Sequence, residues 1–241
     1  MSNYWNTDVT YTQIPVSELR EKAKHSVATA TKKGHVYEPV FTSSRKICES
    51  WWGQAWCNNL ERYADFASRI GRGKRYVRSG AVVDLKISTG KIMARVQGSR
   101  RTPYKVVIHI SPLSEEKCQH IIMKCGQKIQ NLEMLVLGTF PDDMKELFTG
   151  EGGLFPTPRE ISFNCSCPDW AIMCKHVAAV MYGVGVRLDE NPFLFFHLRG
   201  IDIDHFINVA LNNKVENMLA NAQKSSSRII NDIDIHSLFG I

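Results

Sequence analysis

Residues Cys165 to His176 read CSCPDWAIMCKH, four metal-type side chains in twelve positions with the spacing C-x-C-x6-C-x-H. In an extended segment, residues two apart point to the same side, so Cys165 and Cys167 present both sulfurs to one point. Pro168 and Asp169 favour a turn, because proline fixes φ and aspartate can bond its own backbone. The following KHVAAVMYGVG is expected as a helix, with Val177, Val180, Met181 and Val184 at i, i+3, i+4 and i+7. Cys174 and His176 then sit at its start and complete a tetrahedron. Three sulfurs and one imidazole form a structural zinc set, with every position filled by protein and none left for water. Zn2+ is the expected ion on ligand softness and geometry, and its expected role is scaffolding. Three thiolates on a divalent ion leave one negative charge, which Lys175 offsets in part. Buried cysteines beside a core histidine are the plainer reading, and four ligand types in so short a stretch argue against it.

Working outward, 241 residues with 44% hydrophobic and 22% charged side chains allow one large domain or two small ones with a real core. No run approaches ~18 apolar residues, so no membrane span is expected. The opening MSNYWNTDVTYTQ lacks the basic-then-apolar order of a secretory leader, so none is expected. Cys48, Cys57, Cys118 and Cys125 show no paired spacing and are expected as small buried hydrophobes. A reducing, cytoplasmic setting fits that usage.

Charge is concentrated upstream of the cysteine cluster. Between residues 69 and 105 lie eleven basic side chains: Arg69, Arg72, Lys74, Arg75, Arg78, Lys86, Lys91, Arg95, Arg100, Arg101 and Lys105. Asp84 is the one acid among them, and since the whole chain carries a formal +6, everything outside this segment is net acidic. One concentrated basic segment is the footprint of a polyanion binder. AVVDLKIS, KIMARVQ and YKVVIHI alternate apolar and polar residues, which predicts an antiparallel meander. Its inward face is expected to hold Ala81, Val83, Leu85 and Ile87, then Ile92, Ala94 and Val96, then Tyr104, Val106, Ile108 and Ile110. Lys86, Lys91 and Arg95 are expected on its polar side. RIGRGKRYVR and GSRRTP read as flanking loops, their glycines letting backbone approach phosphate.

Helical patterns surround the meander. Glu18 to about Thr31 is expected as a helix capped by Ser17 and ended by Gly34. Glu49 to Ile70 repeats Trp52, Trp56, Leu60, Tyr63 and Ala67 at helical spacing. Trp51, Trp52 and Trp56 invite a base-stacking reading, but tryptophan on an apolar stripe is ordinarily core. Ser114 is expected to cap a helix to about Leu132, burying Ile121, Ile122, Cys125 and Ile129, with a short helix near 142–148. Trp170 is expected to cover the apolar side of the cysteine cluster, and Phe193, Leu194, Phe196 and Leu198 to pack a short helix against it. A last helix capped by Asp202 or Asp204 is expected through Asn217 or beyond, then a flexible KSSSR and a tail that is either a short docking segment or disordered.

At the cysteine cluster the chain resembles the SWIM zinc finger family, in which C-x-C-x6-C-x-H precedes an apolar helix. WWGQAW (51–56), RIGRGKRYVRSG (69–80), VQGSRRTPYKV (96–106) and PFLFFHLRGID (192–202) extend the resemblance to bacterial members often encoded beside an SNF2-type helicase. The resemblance covers about residues 45 to 205. It implies the ligands Cys165, Cys167, Cys174 and His176, and work on nucleic acid or protein beside a remodelling ATPase.

No catalytic set assembles. Thr89-Gly90-Lys91 lacks the earlier glycine of a phosphate loop. Asp84-Leu85-Lys86 looks like half of a nuclease site, with only Glu61 or Asp65 as nearby carboxylates. The expectation is an α+β, non-enzymatic protein. It has an N-terminal region with a short helix (1–45), an α+β domain with the basic meander (46–149) and a linker (150–158). A small zinc-stabilised ββα-like SWIM module (159–188) and C-terminal helices with a flexible tail (189–241) follow. Expected function is binding of nucleic acid, DNA in particular, by residues 69–105 without sequence preference, alongside an SNF2-type ATPase. A protein–protein adaptor is the alternative, and a metal-dependent nuclease the remote one.

Overall fold

The computed structural model describes residues 14–65, 67–128, 142–150 and 152–222. Strands β1 (Val82–Ser88), β2 (Lys91–Val96), β3 (Tyr104–Ile110) and β4 (Ile161–Cys165) form one antiparallel sheet in that order. Around it come helices α1 (Val16–Lys32), α2 (Trp51–Glu61), α3 (Ala67–Arg78) and α4 (Glu115–Lys128). After a 3-10 turn at Asp142–Met144 follow α5 (Lys145–Thr149), α6 (Lys175–Glu190), α7 (Leu194–Leu198) and α8 (Ile203–Ala222). The class is α+β.

The meander has the expected two faces. Ile92, Ala94 and Val96 on β2, with Tyr104, Val106, Ile108 and Ile110 on β3, are buried, while Met93, Lys105 and His109 are exposed. On β1 the alternation breaks. Val82 pairs with Val96 and Asp84 with Arg95, so Val83 is an extra, bulged residue. Because of that bulge Val82 joins Leu85 on the core face in place of Val83. Strict period-two reading could not anticipate the slip.

Helix α6 roofs the apolar face. From Lys175 to Glu190 nearly every residue is buried, and the helix packs on all four strands as well as α2 and α3. Trp56 and Trp52 donate their indole N–H groups to the α6 carbonyls of Met181 and Leu188, both at 2.9 Å. Those two indoles are buried core anchors, and Trp51 rests half-buried against Phe148 at 5.2 Å.

Two expectations for this region are corrected. The helical pattern of 49–70 is two helices broken between Glu61 and Ala67, and RIGRGKRYVR lies within α3 rather than in a loop. Its glycines argue for a loop by propensity, but Gly73 serves packing. A Cβ at 73 would lie 2.6 Å from the Ala178 Cβ and 3.0 Å from the Ala178 carbonyl carbon, so α3 meets α6 backbone to side chain. Gly71 meets nothing within 4 Å. Gly73→Ala is therefore expected to destabilise by about 1–3 kcal/mol through overpacking. Gly71→Ala is expected to stabilise by about 0.5–1 kcal/mol through helix propensity. Urea unfolding of both variants measures the contrast, and matching effects would refute a tight crossing.

The C-terminal half also differs from expectation. Residues 153–156 of the expected linker are buried rather than free, with Leu154 and Phe155 in the cluster that holds the sheet and α6. β4 pairs with β3, so the cysteine segment is built onto the meander instead of standing as a separate ββα unit. In α7, Phe195 is buried with Phe196 and Leu198, while Phe193 and Leu194 are only partly covered. Phe196 stacks on Phe206 of α8 at 4.9 Å. Asp202 caps α8 by accepting from the Asp204 N–H at 2.9 Å. The expected burial of Ile129, the flexible KSSSR and the tail lie outside the described residues. No helix of the described residues is long and apolar enough to cross a membrane.

Candidate metal centre and cationic sheet face

Each expected ligand is delivered by a different constraint. Cys165 ends β4 opposite Val106, and Ser166 continues the pairing by donating to the Lys105 carbonyl at 3.0 Å. Cys167 then lies beside Cys165, as extended spacing requires. Asp169 turns the chain by accepting from the Ala171 N–H at 3.3 Å. Cys174 is the extended N-cap residue of α6, and His176 follows in the first turn. The helix N-terminus therefore points its partial positive charge at the thiol cluster.

The geometry suits a tetrahedral ion. His176 Nδ1 lies 3.8 Å from Cys165 Sγ and 3.9 Å from Cys174 Sγ. All four ligand atoms fall within 4.8 Å of one another. Zn–S near ~2.3 Å and Zn–N near ~2.0 Å place tetrahedral ligands about 3.5–3.8 Å apart, so these residues fit zinc with slight closure. Protons alone serve the cluster poorly. Hydrogen bonds with Cys167 and Cys174 push the Cys165 thiol up, while bonds from Cys165 and Cys174 pull Cys167 down toward thiolate. Burial pushes the His176 imidazole down, which keeps it neutral and able to ligate. Among the described residues this is the one His, Cys, Asp or Glu cluster suited to a metal.

A surrounding shell, unseen in the sequence, holds the ligands. Arg69 Nε meets Asp169 Oδ2 at 3.0 Å, tying the turn to α3. Asp65 accepts from the Ile172 and Met173 N–H groups at 2.9 and 3.4 Å. Tyr104 stacks on His176 at 4.2 Å, and Tyr76 meets the same ring edge-on at 5.5 Å. Gly98 leaves room for that stack, since a Cβ there would lie 2.6 Å from the Tyr104 ring and 3.1 Å from His176 Nε2. Asp169 signalled a turn in the sequence, but Arg69 could not be told from ten other basic residues. Trp170, expected to cover the cluster, is instead 80% exposed at the loop tip beside Ile172.

The eleven basic residues do not share one surface. Those of α3 belong to the helical layer. Lys74 pairs with Glu61 at 2.8 Å, and Arg75 and Arg78 donate to the Ile14 and Arg45 carbonyls. Arg72 also lies on α3, and Arg100 leans over the Tyr104 ring at 5.0 Å. Register places Lys86, Lys91, Arg95 and Lys105 together on the open sheet face, with Met93, Val107 and His109 between them. Arg95 is 3.8 Å from Asp84, and Lys86 is 3.8 Å from Glu38. Lys91, Arg101 and Lys105 make no ion pair with any described residue.

The remaining cysteines are buried as expected. Cys48 and Cys57 lie 3.4 Å apart, and that contact with burial pushes the Cys48 thiol up. Glu61 and Asp65, the carboxylates nearest in sequence to Asp84, are engaged elsewhere, by Lys74 and Tyr182 and by the zinc loop.

Residues 164–184 match the SWIM zinc finger model. The chain is also 36% identical over 156 residues to a Mycobacterium tuberculosis (strain ATCC 25618 / H37Rv) protein named "Uncharacterized protein Rv2102". That match covers 64% of this chain and 56% of the relative, so the chain spans just over half of that protein's length. No solved structure matches.

Proposed function

We propose that this chain is a non-enzymatic, zinc-scaffolded nucleic-acid-binding accessory protein, with DNA as its main target and an SNF2-type ATPase as its partner. One observation carries the reading: the sheet face opposite α6 gathers Lys86, Lys91, Arg95 and Lys105. Cations at strand spacing on an open face neutralise phosphates without reading base edges, so no sequence preference is expected. The zinc holds β4 and α6 in place and leaves no open coordination position for catalysis. The ATPase partner rests on the family resemblance at residues 45 to 205. Its test is whether the purified protein changes DNA-stimulated ATP hydrolysis by an SNF2-type enzyme of the same genome.

Fluorescence anisotropy across a salt series tests the binding. Log K is expected to fall linearly with log salt as counterions are released. Lys86→Glu with Lys91→Glu is expected to flatten the slope by about 2 and cut affinity roughly tenfold or more at low salt. Reversal at Arg75 and Arg78 tests stability instead, since both guanidinium groups hold backbone carbonyls. Absence of binding to duplex DNA, single strands and RNA would leave the adaptor reading, with the cationic face meeting an acidic protein.

A further inference from the structure

One end of the cationic face is not flat. Helix α1 stands beside it and, with the β2–β3 connection, walls a trough of about 720 Å³. The helix supplies His25, Ser26 and Thr29, its C-cap residue Lys33 follows, and the facing wall holds Arg95, Arg101 and Lys105. Tyr37 and Pro103 add apolar surface, and none of the lining residues is acidic. A hydrogen bond of 2.6 Å from Ser26 to Gln97 fixes α1 against the end of β2, so the wall is anchored. Arg95 and Lys105 also line a second depression of about 280 Å³ over Lys86, Met93 and Val107, where Asp84, 3.8 Å from Arg95, is the one acid. The two hollows thus adjoin at these shared cations, marking a track from α1 onto the sheet.

We propose that this track seats a single strand of nucleic acid, its phosphates on Lys33, Arg101 and Lys105 and a base or sugar against Tyr37 and Pro103. The inference rests on the nucleic-acid reading above and deepens it by naming the strand form. The trough has the volume of a small-molecule site, about 300–1,000 Å³, which admits a short piece of one strand and not a duplex. Cations along the backbone path with an aromatic platform are the elements of single-strand binding. Hydroxyls of Thr29 and Thr102 line the same walls and suit phosphate or sugar oxygens. The α1 residues lie outside the charge-rich segment, which is why charge counting passed over them.

The test uses the full, zinc-loaded chain with a single-stranded DNA oligonucleotide, the RNA of the same sequence and a blunt DNA hairpin. Lys33→Glu with Arg101→Glu is expected to weaken both single strands by roughly tenfold or more and the hairpin by less than about threefold. Tyr37→Ala is expected to weaken the single strands by about tenfold with an unchanged salt slope, because stacking releases no counterions. Equal losses for strand and hairpin would overturn the inference, as would inorganic phosphate or a mononucleotide competing as well as the oligonucleotide. If the Lys33 and Arg101 pair has no effect while the Lys86 and Lys91 pair weakens binding, the trough fails and the sheet-face reading survives. If the unaltered protein binds none of the three, both fall together.

Discussion

Cys174→Ser is expected to cost the protein its zinc and lower the thermal midpoint by about 10–20 °C. Structural zinc contributes an apparent ~10–16 kcal/mol in isolated finger peptides, where the metal is the core. Here α6 keeps its own contacts with the strands, α2 and α3, so loss of the ion should cost about 5 kcal/mol rather than the whole fold. In a chain of this size each kcal/mol moves the midpoint by about 2–4 °C. Serine isolates the metal from the other role of this residue. Cys174 is the N-cap of α6, and serine caps at least as well, so any loss reports coordination. Ile172→Ser, at a side chain 71% exposed on the same loop, should stay within about 0.5 kcal/mol. Metal content by mass spectrometry and melting by circular dichroism check both. Full zinc retention with an unchanged midpoint in Cys174→Ser would remove the case for a metal centre.

Glu160→Gln is the other substitution expected to act strongly. Arg199 is 1% exposed, and its guanidinium reaches Glu160 Oε1 at 2.7 Å and the Ser111 carbonyl at 2.6 Å. Removing the carboxylate strands a buried charge, at a cost of about 3–5 kcal/mol. Adding Arg199→Met should return much of that loss, because an apolar chain of similar length has no charge to bury. The effect also has a pH signature. Burial pushes the Glu160 carboxyl up, but the Thr157 N–H, Arg199 and the Thr157 hydroxyl together hold it below its ordinary value. A depressed folded value stabilises the native state above the unfolded value near ~4.3, and that share is lost as pH falls through the folded value. The gap between the parent protein and Glu160→Gln should therefore be full near neutrality and shrink below about pH 4. Urea unfolding at both pH values measures it. A gap independent of pH would mean that the ionised Glu160 is not what answers the buried Arg199 charge.

What was legible in the sequence was local. Four ligands in twelve residues announce themselves by chemistry, and period-two alternation marked β2 and β3 residue by residue. The failures are tertiary. Gly73 reads as a helix breaker until Ala178 is seen against it. The Val83 bulge leaves no trace in a pattern of consecutive apolar residues. Arg199 and Glu160 lie 39 positions apart and read as ordinary surface charges. Likewise the basic run 69–105 is continuous in sequence but divides between a helix on one side of the sheet and strands on the other.

The roof formed by α6 has a consequence for synthesis on the ribosome. The apolar face of β1–β3 is complete once Ile110 has emerged, but the helix that covers it begins at Lys175, about sixty-five residues later. At about 5–20 residues per second that interval is roughly 3–13 s. Throughout it, Ile92, Val96, Val106, Ile108 and Ile110 form a sticky nascent surface with only earlier segments to shield it. Molecular chaperones have that window in which to act, and a stalled or truncated chain ending before the zinc loop would remain in it permanently.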